Sequence, residues 1–291
     1  MDRSVTLIVN PVAGAGRAAK RLPAAEAELR ALGIGFRRAE TTSLVNAEQH
    51  ARAAAEAGEA VFTLGGDGLV GAVAGALADT GTPLGVLSGG RGNDFARVLG
   101  IPGDPAEAVR ALASAPVRRL DLAECDGRPF IGIASCGFDS VANGIANESR
   151  LVKGHLVYLY AALRALLTWE PARFELVLDG KERVYTGWSV GAANSKAYGG
   201  GMYAAPDAEL DDGLLDVVVC ERTSKLIFVT RVLPGLFRGT HVNLPSIHVM
   251  RAREVTVRAD RPFAMYADGD PAGDLPVTVS IRPGVLAVLA P

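Results

Sequence analysis

Short runs of apolar and β-branched residues, each closed by a glycine-bearing or hydroxyl-bearing turn and followed by a longer stretch of helical spacing, recur through the first 120 residues. Val5–Val9, Gly35–Glu40, Val61–Leu64 and Pro83–Leu87 read as strands. Helices are expected after the Asn10 to Arg17 loop as far as Leu32, over Ala47–Ala57 behind the capping hydroxyls of Thr41-Thr42-Ser43, and over Gly71–Ala78. Strand and helix in alternation predict an open, largely parallel sheet, with the ligand crevice at the carboxyl ends of its strands.

The pattern changes near residue 120. A hairpin is expected about Asp126-Gly127, and Leu151–Thr168 reads as a helix, with Leu156, Leu159, Tyr160, Leu163, Leu166 and Leu167 near helical spacing. From there on short strands dominate: Phe174–Leu178, Val184–Ala193, Leu215–Cys220, Ile247–Met250, Val255–Ala259, Phe263–Tyr266, Val277–Ile281 and Val285–Leu289. Lys225–Arg238, broken at Pro234-Gly235, is the remaining helix. The fold class is therefore an α/β first domain over 1–120, with a largely parallel sheet, and a β-rich, sandwich-like second domain over 121–291. A return of the extreme C-terminus to the first domain is left open.

Composition narrows the function classes. A chain of 291 residues with 49% hydrophobic content can bury two cores, and a formal charge of -2 argues against a nucleic-acid surface. Cys125, Cys136 and Cys220 are scattered and lack metal-ligand spacing, which suits free thiols of a reducing compartment. Neither a leader segment nor an apolar span is visible, so a cytoplasmic protein is expected.

Three glycine-bearing loops follow three of the strands: Asn10-Pro11-Val12-Ala13-Gly14, Gly65-Gly66-Asp67-Gly68-Leu69 and Ser88-Gly89-Gly90-Arg91-Gly92-Asn93-Asp94. Glycine lets an anion approach backbone N–H groups at a helix N-terminus, where the dipole also favours it. Arg91 and Arg97 are candidate charge partners for phosphate, and Asp67 and Asp94 candidate ligands for Mg²⁺ or water. A single loop of this kind reads equally well as a plain βα turn, with Asp67 as a helix cap. Three on one sheet edge point to a nucleotide.

In chain order, Gly65-Gly66-Asp67-Gly68, the block from Gly90 to Arg97, Ser135-Cys136-Gly137-Phe138-Asp139, Gly199-Gly200-Gly201-Met202 with Pro206 to Asp216, and Ala267-Asp268-Gly269-Asp270 resemble the signature blocks of the diacylglycerol kinase catalytic family. That family includes bacterial soluble lipid kinases and the sphingosine kinases. The resemblance implies an ATP- and Mg²⁺-dependent kinase of a lipid hydroxyl, with a NAD kinase/diacylglycerol kinase-like fold and its active site between two domains. It also implies nucleotide contacts at Asn10 to Gly14, Thr41 and the loop starting at Gly66, and a structural cation held by Asp212 with the carbonyls of Glu209 and Leu214. Asp67 would act on the phosphates through Mg²⁺ and water. Asp270, or Asp268 in its place, would take the hydroxyl proton.

The chain departs from the family pattern at three places. Leu69, Val70, Gly71 and Ala72 stand where the family carries Thr and Asn-Glu, and Arg91 stands where it carries Thr. Asp270 replaces a glutamate and is one methylene shorter. Guanidinium can bind phosphate oxygens bidentately, so Arg91 is a candidate compensation. Two other readings stay open: a nucleotide- or lipid-binding member without catalysis, and a kinase of a soluble hydroxylated acceptor. Substrate collection from a bilayer implies transient peripheral contact at the inner face of the membrane, where Arg17, Lys20 and Arg21 could meet headgroups or form an ordinary solvated face. Assembly as a homodimer is compatible with the sequence.

Overall fold

The computed structural model describes residues 4–148, 160 and 164–291. In the first half β1 (Val5–Val9), β2 (Phe36–Glu40), β3 (Ala60–Gly65) and β4 (Leu84–Ser88) run parallel in the order β2-β1-β3-β4. Every residue of β1 and β3 is buried, as expected of a sheet covered on both faces. Right-handed crossovers put α1 (Ala13–Ala31) and α5 (Pro105–Ser114) together on one face, and α2 (Leu44–Glu56) and α3 (Asp67–Leu77) together on the other. Strand order reverses between β1 and β3, so the loops that follow those two strands flank the switch-point crevice.

The second half is built from β5 (Val117–Cys125), β6 (Arg128–Phe130), β7 (Ile133–Gly137), β8 (Ala172–Leu178), β9 (Lys181–Ala193), β12 (Leu215–Glu221), β13 (Ile247–Ala252), β14 (Glu254–Ala259), β15 (Ala264–Ala267), β16 (Asp270–Asp274) and β17 (Val277–Leu289). β10 (Ala197–Tyr198) and β11 (Met202–Tyr203) form a separate small hairpin. Trp188 stacks on Phe228 at 3.9 Å, and Phe138, Trp169, Phe174 and Phe263 extend this aromatic core. Cys125, Cys136 and Cys220 are buried free thiols, and burial pushes the Cys125 thiol up to about 11.

Val277–Ile281 and Val285–Leu289, expected as two strands, are one. The chain keeps its direction through the irregularity at Pro283-Gly284, so β17 pairs with β5 on both sides of it. Along its other edge β17 pairs first with β14 and then, at Val288, with Leu84 of β4. The two halves thus share one 15-stranded sheet, and the C-terminal strand lies inside the parallel layer. Asp121 fixes the crossing: its two carboxylate oxygens accept N–H bonds from Gly213 and Gly284, each at 2.7 Å.

Several helices differ from the sequence expectation. The helix after Gly-Gly-Asp-Gly begins at Asp67 rather than Gly71, because Gly66 supplies the extended N-cap and Gly68 is helical. Gly14, Ala15 and Gly16 all have positive φ, so regular α1 starts only after them. α6 (Phe138–Glu148) follows β7 over a stretch for which the sequence pattern predicts no helix. The expected helix at Leu151–Thr168 lies largely outside the described residues, within which 164–168 are helical. Lys225–Arg238 resolves into Lys225–Ile227, a π-helical turn at Phe228–Val232, and Leu233–Leu236. Pro234 has no N–H to return to Thr230, and the wider turn carries the Leu233 N–H back to the Phe228 carbonyl.

Candidate active site

The three glycine loops meet backbone to backbone. A Cβ on Gly90 would stand 2.4 Å from Gly66 Cα, and one on Gly14 would stand 2.5 Å from the Gly89 carbonyl oxygen. The Gly89 N–H donates to the Gly65 carbonyl at 2.8 Å. Asn93, held at φ 53, closes the third loop by accepting from Gly90 N–H at 2.7 Å and donating to the Gly90 carbonyl at 3.1 Å. Arg17 donates to the Gly90 carbonyl at 2.9 Å and Arg21 to that of Ser88 at 2.7 Å. These two cations brace the loop from α1, Arg17 while still exposed, and Lys20 stays on the solvated face.

The sequence-predicted nucleotide residues gather here, in unequal states. Asn10 accepts from the Val12 N–H at 3.3 Å, Val12 is exposed, and Pro11 and Ala13 are partly buried beside it. Thr41 is buried and its hydroxyl is donated to the Ser43 carbonyl at 3.1 Å. Leu69 is buried and packs on Gly65, so of the Gly65 to Leu69 set it faces the core. Arg91 is exposed, and among the described residues no group bonds its side chain.

Four carboxylates surround the start of α3. Asp67, its first residue, does not cap its own helix. It accepts at 3.2 Å from the Phe95 N–H in the first turn of α4 (Asp94–Val98), 28 residues away. Its Oδ2 and that of Asp94 each stand 3.0 Å from a Cβ built on Gly92. Asp94 is buried, paired with Arg97, and accepts at 2.7 Å from the N–H of Gly200 in the Gly199–Gly201 turn. Burial, with the Asp94 charge beside it, pushes the Asp67 carboxyl above the usual carboxylate range.

The opposite wall comes from the β-rich half. Asp268 (φ 50) and Gly269 (φ 89) form the two-residue turn between β15 and β16, a conformation that suits Asp-Gly. The Asp268 carboxylate accepts from Ile131 and Gly132 N–H at 2.9 Å and from Ile133 N–H at 3.2 Å. Burial pushes it up to about 7, with the charge of Asp67 adding to the effect. Asp270 Oδ2 instead stands 3.1 Å from a Cβ built on Gly68, against the first turn of α3, and burial raises this carboxyl as well. Asp67 and Asp270 therefore bracket one helix turn, with Asp268 locking the hairpin that carries the second acid. Asp139 in α6 is a further acid in the family-like blocks: burial pushes it up to about 6, and its charge bears on Tyr198 and Cys220. The sequence signal for it is one carboxylate in an otherwise apolar strand-to-helix junction.

The expected cation site lies at the sheet crossing. Asp212 Oδ1 accepts from the Leu214 N–H at 3.0 Å, while its buried Oδ2 has no hydrogen-bond partner. Arg251 Nη1 stands 3.6 Å from that oxygen. A buried carboxylate oxygen with no hydrogen bond fits a hard cation, which would share it with the Arg251 guanidinium. Glu209 is exposed and Leu214 partly buried, so their carbonyls are near the surface. No group of three or more acidic, His or Cys side chains among the described residues forms a closed metal cage.

A model of the diacylglycerol kinase catalytic domain matches residues 4–125, and one of the YegS C-terminal NAD kinase beta sandwich-like domain matches residues 132–290. The diacylglycerol kinase of Mycobacterium tuberculosis is 34% identical, over 99% of this chain and 95% of its own length. That of Bacillus subtilis is 31% identical, over 74% of this chain and 72% of its own. A solved diacylglycerol kinase structure from Bacillus anthracis superposes with a TM-score of 0.76 at 23% identity, covering 99% of this chain and 97% of that one. That likeness bears on the fold, an α/β layer followed by a β-sandwich. With a family model over each half and a relative 34% identical across nearly the whole of both chains, the chain belongs to the diacylglycerol kinase catalytic-domain family.

Proposed function

We propose that the protein transfers the γ-phosphoryl group of ATP to the hydroxyl of a lipid, diacylglycerol or a close relative. One observation carries the reading: Asp270 Oδ2 lies against Gly68, in the first turn of the helix whose N-terminus the glycine loops surround. A triphosphate gripped by those loops would have its terminal group beside this carboxylate. Among the described residues no side chain caps the N–H groups at the start of α3 and none pairs with Arg91, and the helix dipole favours an anion there.

In the proposed step the lipid hydroxyl oxygen bonds to the γ-phosphorus as the bond to the β–γ bridging oxygen breaks, and ADP leaves. Asp270 accepts the hydroxyl proton, and burial, which raises the affinity of its carboxyl for a proton, suits that task. Asp268 is a positioning residue, since its oxygens are committed to three backbone N–H groups. When bound, Mg²⁺ would neutralise charge on the phosphates, with Asp67 Oδ2 the oxygen best suited to hold it.

The test is labelled γ-ATP with Mg²⁺ and a panel of diacylglycerol, monoacylglycerol and sphingoid bases in mixed micelles. Asp270→Asn should lower kcat by about 10²- to 10⁴-fold, with the KM for ATP little changed. Asp67→Asn should abolish transfer. Full activity in both variants rules the mechanism out, and nucleotide binding with no labelled product from any acceptor favours a non-catalytic role.

A further inference from the structure

The helical excursion between β12 and β13 has two faces. Phe228 and Val232 point into the aromatic core and are buried, and Gly235 is buried against His241. Outward stand Leu226, Ile227 and Phe237, exposed by 73%, 42% and 61%. Lys225 donates to the Leu167 carbonyl at 3.1 Å, which brings a further apolar side chain, 80% exposed, alongside them. Large apolar side chains gathered on one surface and rimmed by polar ones mark a contact site.

The charge around them has one sign. Residues 222–253 contain no Asp or Glu but include Arg222, Lys225, Arg231 and Arg238. Glu221, just before the stretch, is occupied by His248 at 2.8 Å. Arg231 and Arg238 flank a shallow groove of about 260 Å³ that Thr230, Pro234 and Thr240 also line. No carboxylate meets either guanidinium among the described residues. Paired guanidinium groups over a small hydroxyl-lined groove suit a phosphate, and the neighbouring apolar side chains suit the acyl region below it.

We propose that this face docks the protein on an anionic bilayer. The Arg231–Arg238 groove receives a lipid headgroup phosphate while Leu226, Ile227 and Phe237 enter the acyl boundary. The inference rests on the lipid-kinase reading only for why a bilayer must be reached. The face also lies close to the site. A Cβ on Gly239, just past the helical segment, would stand 2.9 Å from Pro206, and the Gly199–Gly201 turn ahead of Pro206 holds Asp94 through the Gly200 N–H.

The experiment is co-sedimentation of the full chain with vesicles of phosphatidylcholine alone or mixed with phosphatidylglycerol. Binding is expected only to the mixed vesicles and should weaken with salt. Arg231→Gln and Arg238→Gln should each lower the partition coefficient about five-fold. Leu226→Ser with Phe237→Ser should lower it at every salt concentration. Phosphorylation of a short-chain, water-dispersed diacylglycerol should be unchanged in these variants, which separates docking from catalysis. If no lipid is phosphorylated yet the vesicle results hold, only the kinase reading fails. The proposal is overturned by equal binding to neutral vesicles or by variants that bind as wild type does. A wild-type dimer that the variants abolish, without vesicle binding, would assign the face to a second copy and also overturn it.

Discussion

Asp268 and Asp270 sit two residues apart and do different work because one carboxylate is ringed by backbone donors and the other is not. The Asp-Gly turn itself is legible in the sequence, since a two-residue hairpin with positive φ calls for that pair. Which acid is free is not legible, because the donors at Ile131 to Ile133 lie more than 130 residues away. The same holds for Asp67, whose partner is the first turn of another helix. A pH dependence follows from these environments. Asp268 is raised to about 7 and Asp139 to about 6, and Asp67 and Asp270 move the same way. Between roughly pH 4 and 7 these four carboxyls hold more protons in the folded protein than in the unfolded chain, outnumbering the opposite shifts of His241 and Glu59, so the stability they confer falls as pH rises through that window. Thermal melts should show Tm decreasing from pH 5 to pH 8. Asp268→Asn should flatten that slope and cost about 1–3 kcal/mol at pH 5, because its amide presents donors to donors. A wild-type Tm that climbs over this range contradicts the assignment.

At the scale of elements, alternating strands and helices were readable because each N-terminal strand is a continuous buried run and each turn carries glycine or a capping hydroxyl. The boundaries were less readable. α3 starts at Asp67 because Gly66 has the extended cap conformation, a fact set by the approach of Gly90 from another loop. That approach is itself testable. Gly90→Ala drives a methyl to 2.4 Å from Gly66 Cα, so the two loops must separate. A loss of about 1–3 kcal/mol and weaker binding of a non-hydrolysable ATP analogue by calorimetry are expected. Gly35→Ala, which meets nothing within 4 Å, is the control and should melt with wild type. The helix α6 escaped the periodicity reading because it follows directly on the buried strand β7, with only Gly137 at φ 95 to mark the bend.

For the whole molecule, the division into an α/β half and a β-rich half is visible in composition and pattern, but their joint is not. β17 reads as two strands because Pro283-Gly284 interrupts it, yet both segments pair with β5 across the break. Leu286, Val288 and Leu289 of the second segment are buried inside the parallel layer. Removing residues 284–291 should expose surface worth about 2 kcal/mol per side chain, comparable with the whole stability margin of a domain. The truncated chain is expected to lose its cooperative melting transition by circular dichroism. A sharp transition near the wild-type Tm would mean the layer stands without that strand.

The placing of β17 also bears on how the molecule is made. As the chain leaves the ribosome, β4 and β5 emerge early and must wait, each with an open edge, until more than 150 further residues have been synthesised. The layer that carries the glycine loops is then closed by a segment translated after everything it joins, so an aborted nascent chain would carry those loops in sequence but no finished layer to hold them.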